Sequence, residues 1–184
     1  MKLRGVSSLP KRLPPLEGRA VRVRFLPELS AGSRKLYSRQ RYGQPVYAGT
    51  FIRKRQIVLD RELQRRPKEL ARILVHELFH FVWVRLGNPV RRSYHAVLLR
   101  EWKQHARGEL GWSAELRKAR LPRHLRSDAS RAKWRDYACE SFCDSAAWLY
   151  SGVLRHQEFT LAERHRQRRA AWFRQTFGKA GIPI

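Results

Sequence analysis

The chain has 184 residues, 40 Lys and Arg against 15 Asp and Glu, a formal net charge of +25 and a pI near 11.5. That length fits one domain able to bury a core unaided, and two cysteines exclude a disulfide-stapled scaffold. No charge-free apolar run of about 18 residues occurs, and the basic N-terminus lacks a continuous apolar leader, so a cytoplasmic protein without a membrane span is expected.

Residues 1–19, with Pro10, Pro14, Pro15 and Gly18, read as an extended arm, and residues 20–184 as a single domain. Val21-Arg22-Val23-Arg24-Phe25 alternates and predicts a strand. Val46 to Ile52 and Gln56 to Leu59 predict two more, a hairpin closed by the basic turn Arg53-Lys54-Arg55. Pro67 and Glu69 suit a helix start, and an apolar run follows until Gly87 and Pro89 end it. Further helices are expected over 94–107 and 130–151, with Ser113 capping a short segment between them. Thr160, with Glu163 three residues on, predicts a capping box opening a last helix that ends at Phe177. The class is α+β, a small and mostly antiparallel sheet packed on the first helix.

His76-Glu77-Leu78-Phe79-His80 sits at the centre of that first helix. Histidines four apart lie one turn above each other, so both imidazoles can reach one metal ion, and Glu77 is placed to take a proton from metal-bound water. The surrounding residues are apolar on nearly every side of the cylinder, so the helix should be buried. A buried polar side chain without a partner costs about 1–3 kcal/mol, and metal ligation would supply the partner.

A catalytic zinc needs a third protein ligand and an open fourth position. Metzincins would place Gly at 83 and His at 86, where this chain has Trp83 and Leu86, and are excluded. In Tyr137-Ala138-Cys139-Glu140-Ser141-Phe142-Cys143-Asp144, Glu140 and Asp144 share one helix face. Here the chain resembles the gluzincins, thermolysin-like zinc peptidases whose HExxH helix is met by a later ExxxD helix. The resemblance implies a minimal zincin core over roughly residues 20 to 150. By it Glu140 would be the third ligand and Asp144 the carboxylate holding a zinc-bound imidazole, as ligating histidines generally require. The alternative ligand is His95, whose spacing after His80 is similar to that of SprT-like zinc proteases, which act on DNA-bound proteins. That family often has Gly after the histidine, where this chain has Ala96.

The resemblance implies a zinc metallopeptidase, with His76, His80 and Glu140 as metal ligands and Glu77 as general base toward a peptide or protein substrate. Tyr47-Ala48-Gly49-Thr50-Phe51 would be the edge strand that pairs with extended substrate. Tyr137, Tyr150, His156 and His165 are the candidate donors to a tetrahedral oxyanion. Cys139 and Cys143, four apart and without a CxxC partner, read as small core residues. The arginine-rich charge, clustered at Arg164-His165-Arg166-Gln167-Arg168-Arg169 and Lys11-Arg12, makes nucleic acid a candidate partner and a non-catalytic nucleic-acid-binding protein an alternative reading.

Overall fold

The computed structural model describes residues 3–6, 10–33, 35–40, 42–122, 128–178 and 181–184. Short strands precede the helices: β1 (Leu3–Arg4), β2 (Leu16–Glu17), β3 (Val21–Leu26), β4 (Leu29–Gly32), β5 (Lys35–Ser38), β6 (Gln44–Pro45), β7 (Ala48–Phe51) and β8 (Gln56–Asp60). Then come α1 (Pro67–Arg85), α2 (Asn88–Lys103), α3 (Trp112–Ala119), α4 (Asp128–Tyr150) and α5 (Glu163–Phe177), and a final β9 (Ile182–Pro183). The class is α+β, as expected.

The main sheet has the order β1-β3-β8-β7. Its β7–β8 hairpin is antiparallel, closed by the expected basic turn, and so are the pairs of a separate β5-β4-β6 sheet that the sequence did not announce. By contrast β3 runs parallel to β8, because the intervening chain folds out as the second sheet and returns through β7. The main sheet is therefore mixed rather than mostly antiparallel. The described parts of the expected arm pair with the rest of the chain: β1 adds to β3, and β2 pairs with β9, while residues 1–2 and 7–9 lie outside the described residues. Val21, Val23, Ile57 and Leu59 are buried on the inner face of the sheet, where α1 packs, while Arg22 and Arg24 alternate outward. Among the described residues, no helix is long and apolar enough to cross a membrane.

Every residue of α1 from Arg72 to Trp83 is buried except the half-buried His80, as its all-round apolarity predicts. It is gripped by the sheet on one side and by α4 on the other, where Phe79 lies against Phe142. Two helix starts differ from expectation. The second helix begins at Asn88, not near 94, since Pro89 sits in its first turn, where the missing N–H costs nothing. Thr160 does not cap α5, which begins at Glu163 after Ala162; its hydroxyl oxygen instead accepts the Glu109 N–H at 3.0 Å, so a tertiary tie displaces the local capping box.

A buried ion network fastens the helices behind α4. Arg169 of α5 is fully buried, 2.6 Å from Glu101 and 2.7 Å from Glu109, and Lys118 and the Tyr137 hydroxyl also bond to Glu109. Burial would raise the Glu109 carboxyl, but Arg169 and Lys118 outweigh it and hold the group below its ordinary value of 4.5. A depressed carboxyl contributes stability that is present above the unfolded value and lost as pH falls through the folded one. The melting temperature should therefore drop as the buffer is taken below pH 4.5. Glu109→Gln should cost about 3 kcal/mol at neutral pH and flatten that acid slope; an unchanged slope in calorimetry would assign acid sensitivity to other carboxyls.

Candidate metal centre

Burial of α1 carries the whole motif into the interior, and His76 and Glu77 are both below one tenth exposed. Two buried polar side chains in an apolar helix need partners, and each finds one on a different element. His76 Nδ1 lies 2.7 Å from Asp144 Oδ1 on α4, and its Nε2 lies 3.3 Å from Glu140 Oε2 one turn earlier on the same helix. The Thr50 hydroxyl of β7 lies 2.5 Å from Glu77 Oε2 and donates to it. Thr50 pairs with the fully buried Ile57 and shares its inward face, which is why it reaches α1 at all.

Asp144 does more than orient a ring. Its Oδ2 accepts the Ala114 N–H at 2.9 Å, so the carboxylate satisfies an open donor at the start of α3. Ser113, expected to cap this segment, is replaced in that role by a side chain from another helix. A Cβ at Gly111 would overlap the Asp144 carboxylate, so only glycine lets the loop come this close.

His80 faces the other flank of α4. Its ring centroid is 4.9 Å from that of His76, and its Nδ1 is 3.5 Å from Cys143 Sγ and 3.6 Å from Cys139 Sγ. One donor atom each from His76, His80 and Cys143 lies within 4.8 Å of the others, a cluster that could hold a metal ion; Glu140, the expected third ligand, is not in this group and lies beside it, 3.3 Å from His76 Nε2. Cys143, expected only as core filling, is therefore also part of the cluster, and Cys139 lies beside its His80. Cys143 is fully buried, yet its sulfur meets an imidazole across the helix pair. The signal was the repeat of Cys139-Glu140 and Cys143-Asp144 at i,i+4, which puts sulfur and carboxylate on neighbouring stripes of one helix.

The electrostatics follow from these contacts. Burial would raise the Glu140 carboxyl, but His76, His80 and Arg117 together bring it down to about 2. Burial would lower His76, and Asp144 and then Glu140 raise it well above its ordinary range. The Cys143 thiol and then His80, against burial, lower Cys139 to about 6, while burial pushes Cys143 up. Arg117 of α3, its Nη2 3.3 Å from Glu140 Oε1, was not foreseen, since one arginine among so many carries no local signal.

Other candidates lie elsewhere. His95 is stacked on Trp83 with its Nδ1 accepting from Trp134 Nε1 at 3.2 Å, and burial with Arg91 lowers its pKa; it does not join the cluster. Tyr137 donates to buried Glu109, Tyr150 stacks on Phe79, His156 pairs with Glu69 at 2.5 Å, and His165 contacts Arg164 and Arg168. Among the described residues, none of the four side chains hydrogen-bonds or ion-pairs with His76, His80 or Glu140.

No family model, no curated protein and no solved structure matches the chain. The chemistry of the site is therefore carried by its own donors. Because Asp144 can be displaced without touching any of them, Gly111→Ala is an informative perturbation. It should push the carboxylate off both His76 and Ala114, lowering unfolding free energy in urea by about 2–3 kcal/mol. Wild-type stability in that variant would mean that the loop gives way instead.

Proposed function

We propose that the chain is a zinc-dependent peptidase of gluzincin type, with His76, His80 and Glu140 as ligands and Glu77 as general base. The observation that supports this most is the 2.7 Å bond between His76 Nδ1 and Asp144. It commits one ring nitrogen, so that Nε2, with the Glu140 carboxylate 3.3 Å away, is the one left to bind metal. Imidazole and carboxylate donors with a nearby sulfur suit zinc better than calcium or magnesium, which favour all-oxygen sites.

A zinc ion, when bound, lowers the pKa of a water and polarises a scissile carbonyl. Glu77 takes the proton of the attacking water and passes it to the leaving amine. The Thr50 hydroxyl holds the Glu77 carboxylate in one orientation before substrate arrives. Thr50 belongs to β7, at the edge of the sheet, so an extended peptide pairing with Ala48–Phe51 would run beside Glu77. Among the described residues, Arg117 pairs with the Glu140 carboxylate and is the arginine we assign to face a developing oxyanion.

Cys143 favours one competing reading. It completes the three-donor group with His76 and His80; if Glu140 ligates as well, four protein donors close the site and the metal is structural. His95, the ligand a SprT-like enzyme would need, is held between two tryptophans and lends that reading no support.

Zinc content and hydrolysis of a peptide library separate these readings. The wild type and the Glu77→Gln, Cys143→Ser and His95→Ala variants should each hold about one zinc, and Glu140→Ala should lose it. Glu77→Gln should lower hydrolysis at least ~100-fold without loss of metal. Asp144→Asn should weaken zinc binding by about 10–100-fold. Loss of zinc in Cys143→Ser with no peptidase activity in the wild type would establish the closed site, and a wild type without stoichiometric zinc would sink both.

A further inference from the structure

The outer face of the main sheet carries a feature that peptide hydrolysis does not use. A surface cavity of about 580 Å³ is walled by Arg4, Arg19, Arg22, Arg53, Lys54 and Arg55, and no carboxylate lines it. Arg4 of β1 and Arg22 of β3 are register partners on one face of adjacent strands. Like charges placed directly opposite are destabilising, and a fold retains them cheaply only where counter-charge is available. Among the described residues, Arg4, Arg19, Arg22, Arg53 and Lys54 have no carboxylate partner. Arg55 is different in kind: it donates to the carbonyl oxygens of Ala20, Arg19 and Ile184 and so braces the wall.

The register extends the row. Arg22 pairs with Gln56, and Gln56 with Phe51, so cations and an aromatic ring are aligned across four strands. Lys54 Nζ lies 5.9 Å from the Phe51 ring centre. Guanidinium forks bind phosphate bidentately, and a basic groove with an adjoining aromatic is the combination by which single strands are held. A bilayer is a poor match. The exposed large apolar residues, Tyr42, Tyr47, Val84, Leu99, Trp112 and Leu154, do not line the cavity, which leaves nothing there to insert.

We infer that this cavity is a binding site for single-stranded nucleic acid, with phosphates on Arg4, Arg19, Arg22 and Arg53 and a base against Phe51. It lies on the face of the sheet opposite Thr50 and Glu77 and does not depend on the proposed peptidase activity. Arg4, Arg22 and Arg53 are exposed, so their removal leaves the core untouched.

The test is fluorescence anisotropy of a labelled oligothymidine of roughly 20 nucleotides with the full chain, from about 50 to 200 mM salt, without peptide. The wild type should bind, with log affinity falling linearly in log salt. Arg4→Ala/Arg22→Ala/Arg53→Ala should weaken binding at least ~10-fold and reduce the slope by about 2. Phe51→Leu should weaken binding about 5-fold or more with the slope unchanged. The control Arg92→Ala/Arg100→Ala/Arg174→Ala removes the same charge from exposed helix positions and should leave the slope near that of the wild type. Equal losses in the two triple variants would reduce the effect to net charge and overturn the site. Equal or tighter binding of duplex, polyglutamate or phosphatidylserine vesicles through the same three arginines would overturn the assignment to single strands.

Discussion

One carboxylate, that of Asp144, does the work of three connections. One oxygen holds His76 in the centre of α1, the other satisfies the start of α3, and the group fills the space that Gly111 leaves open. Charge-assisted bonds of this kind are strong when desolvated, and Asp144 is almost wholly buried. Without it, His76 Nδ1 would be left without its partner in the interior and the Ala114 N–H at the start of α3 would lose its acceptor. The geometry of the candidate metal centre thus depends on how α1, α3 and α4 are joined.

Most of the scarce acids of this basic chain are buried or half-buried. Glu101 and Glu109 neutralise Arg169, Glu69 and Glu158 neutralise Arg72, and Glu140 and Asp144 face His76. Buried cations cannot be left unpaired, because desolvation costs several kcal/mol per ion. With these carboxylates drawn inward and none lining the cavity, the arginines on the outer face of the sheet stay unneutralised. Interior electrostatics and surface charge are two sides of one allocation.

Much of the chain was legible residue by residue. The alternation at Val21–Phe25, the hairpin around Arg53-Lys54-Arg55 and the buried α1 with its opening Pro67 all appear where their patterns put them. The i,i+4 pair Glu140 and Asp144 does face His76. What escaped were assignments whose partner lies far along the chain. Thr160 had a capping signature but bonds Glu109, and Ser113 was displaced by Asp144. Cys139 and Cys143 looked like filling because their partner, His80, is about sixty residues earlier. The β4–β6 sheet was missed because its strands are short and carry no clear alternation.

By itself the sequence determined the local periodicities: which segments would bury, that two histidines and a glutamate would share a buried helix, and that acid residues would recur on a later helix face. These follow from the 3.6 and 2.0 repeats and need no knowledge of neighbours. Only the tertiary structure decided which ring nitrogen Asp144 engages, that sulfur joins the cluster, that Thr50 holds Glu77, and that six cations from separate segments form one wall. Those depend on crossing helices and on strand register, which arise from packing the whole chain and are written at no single position.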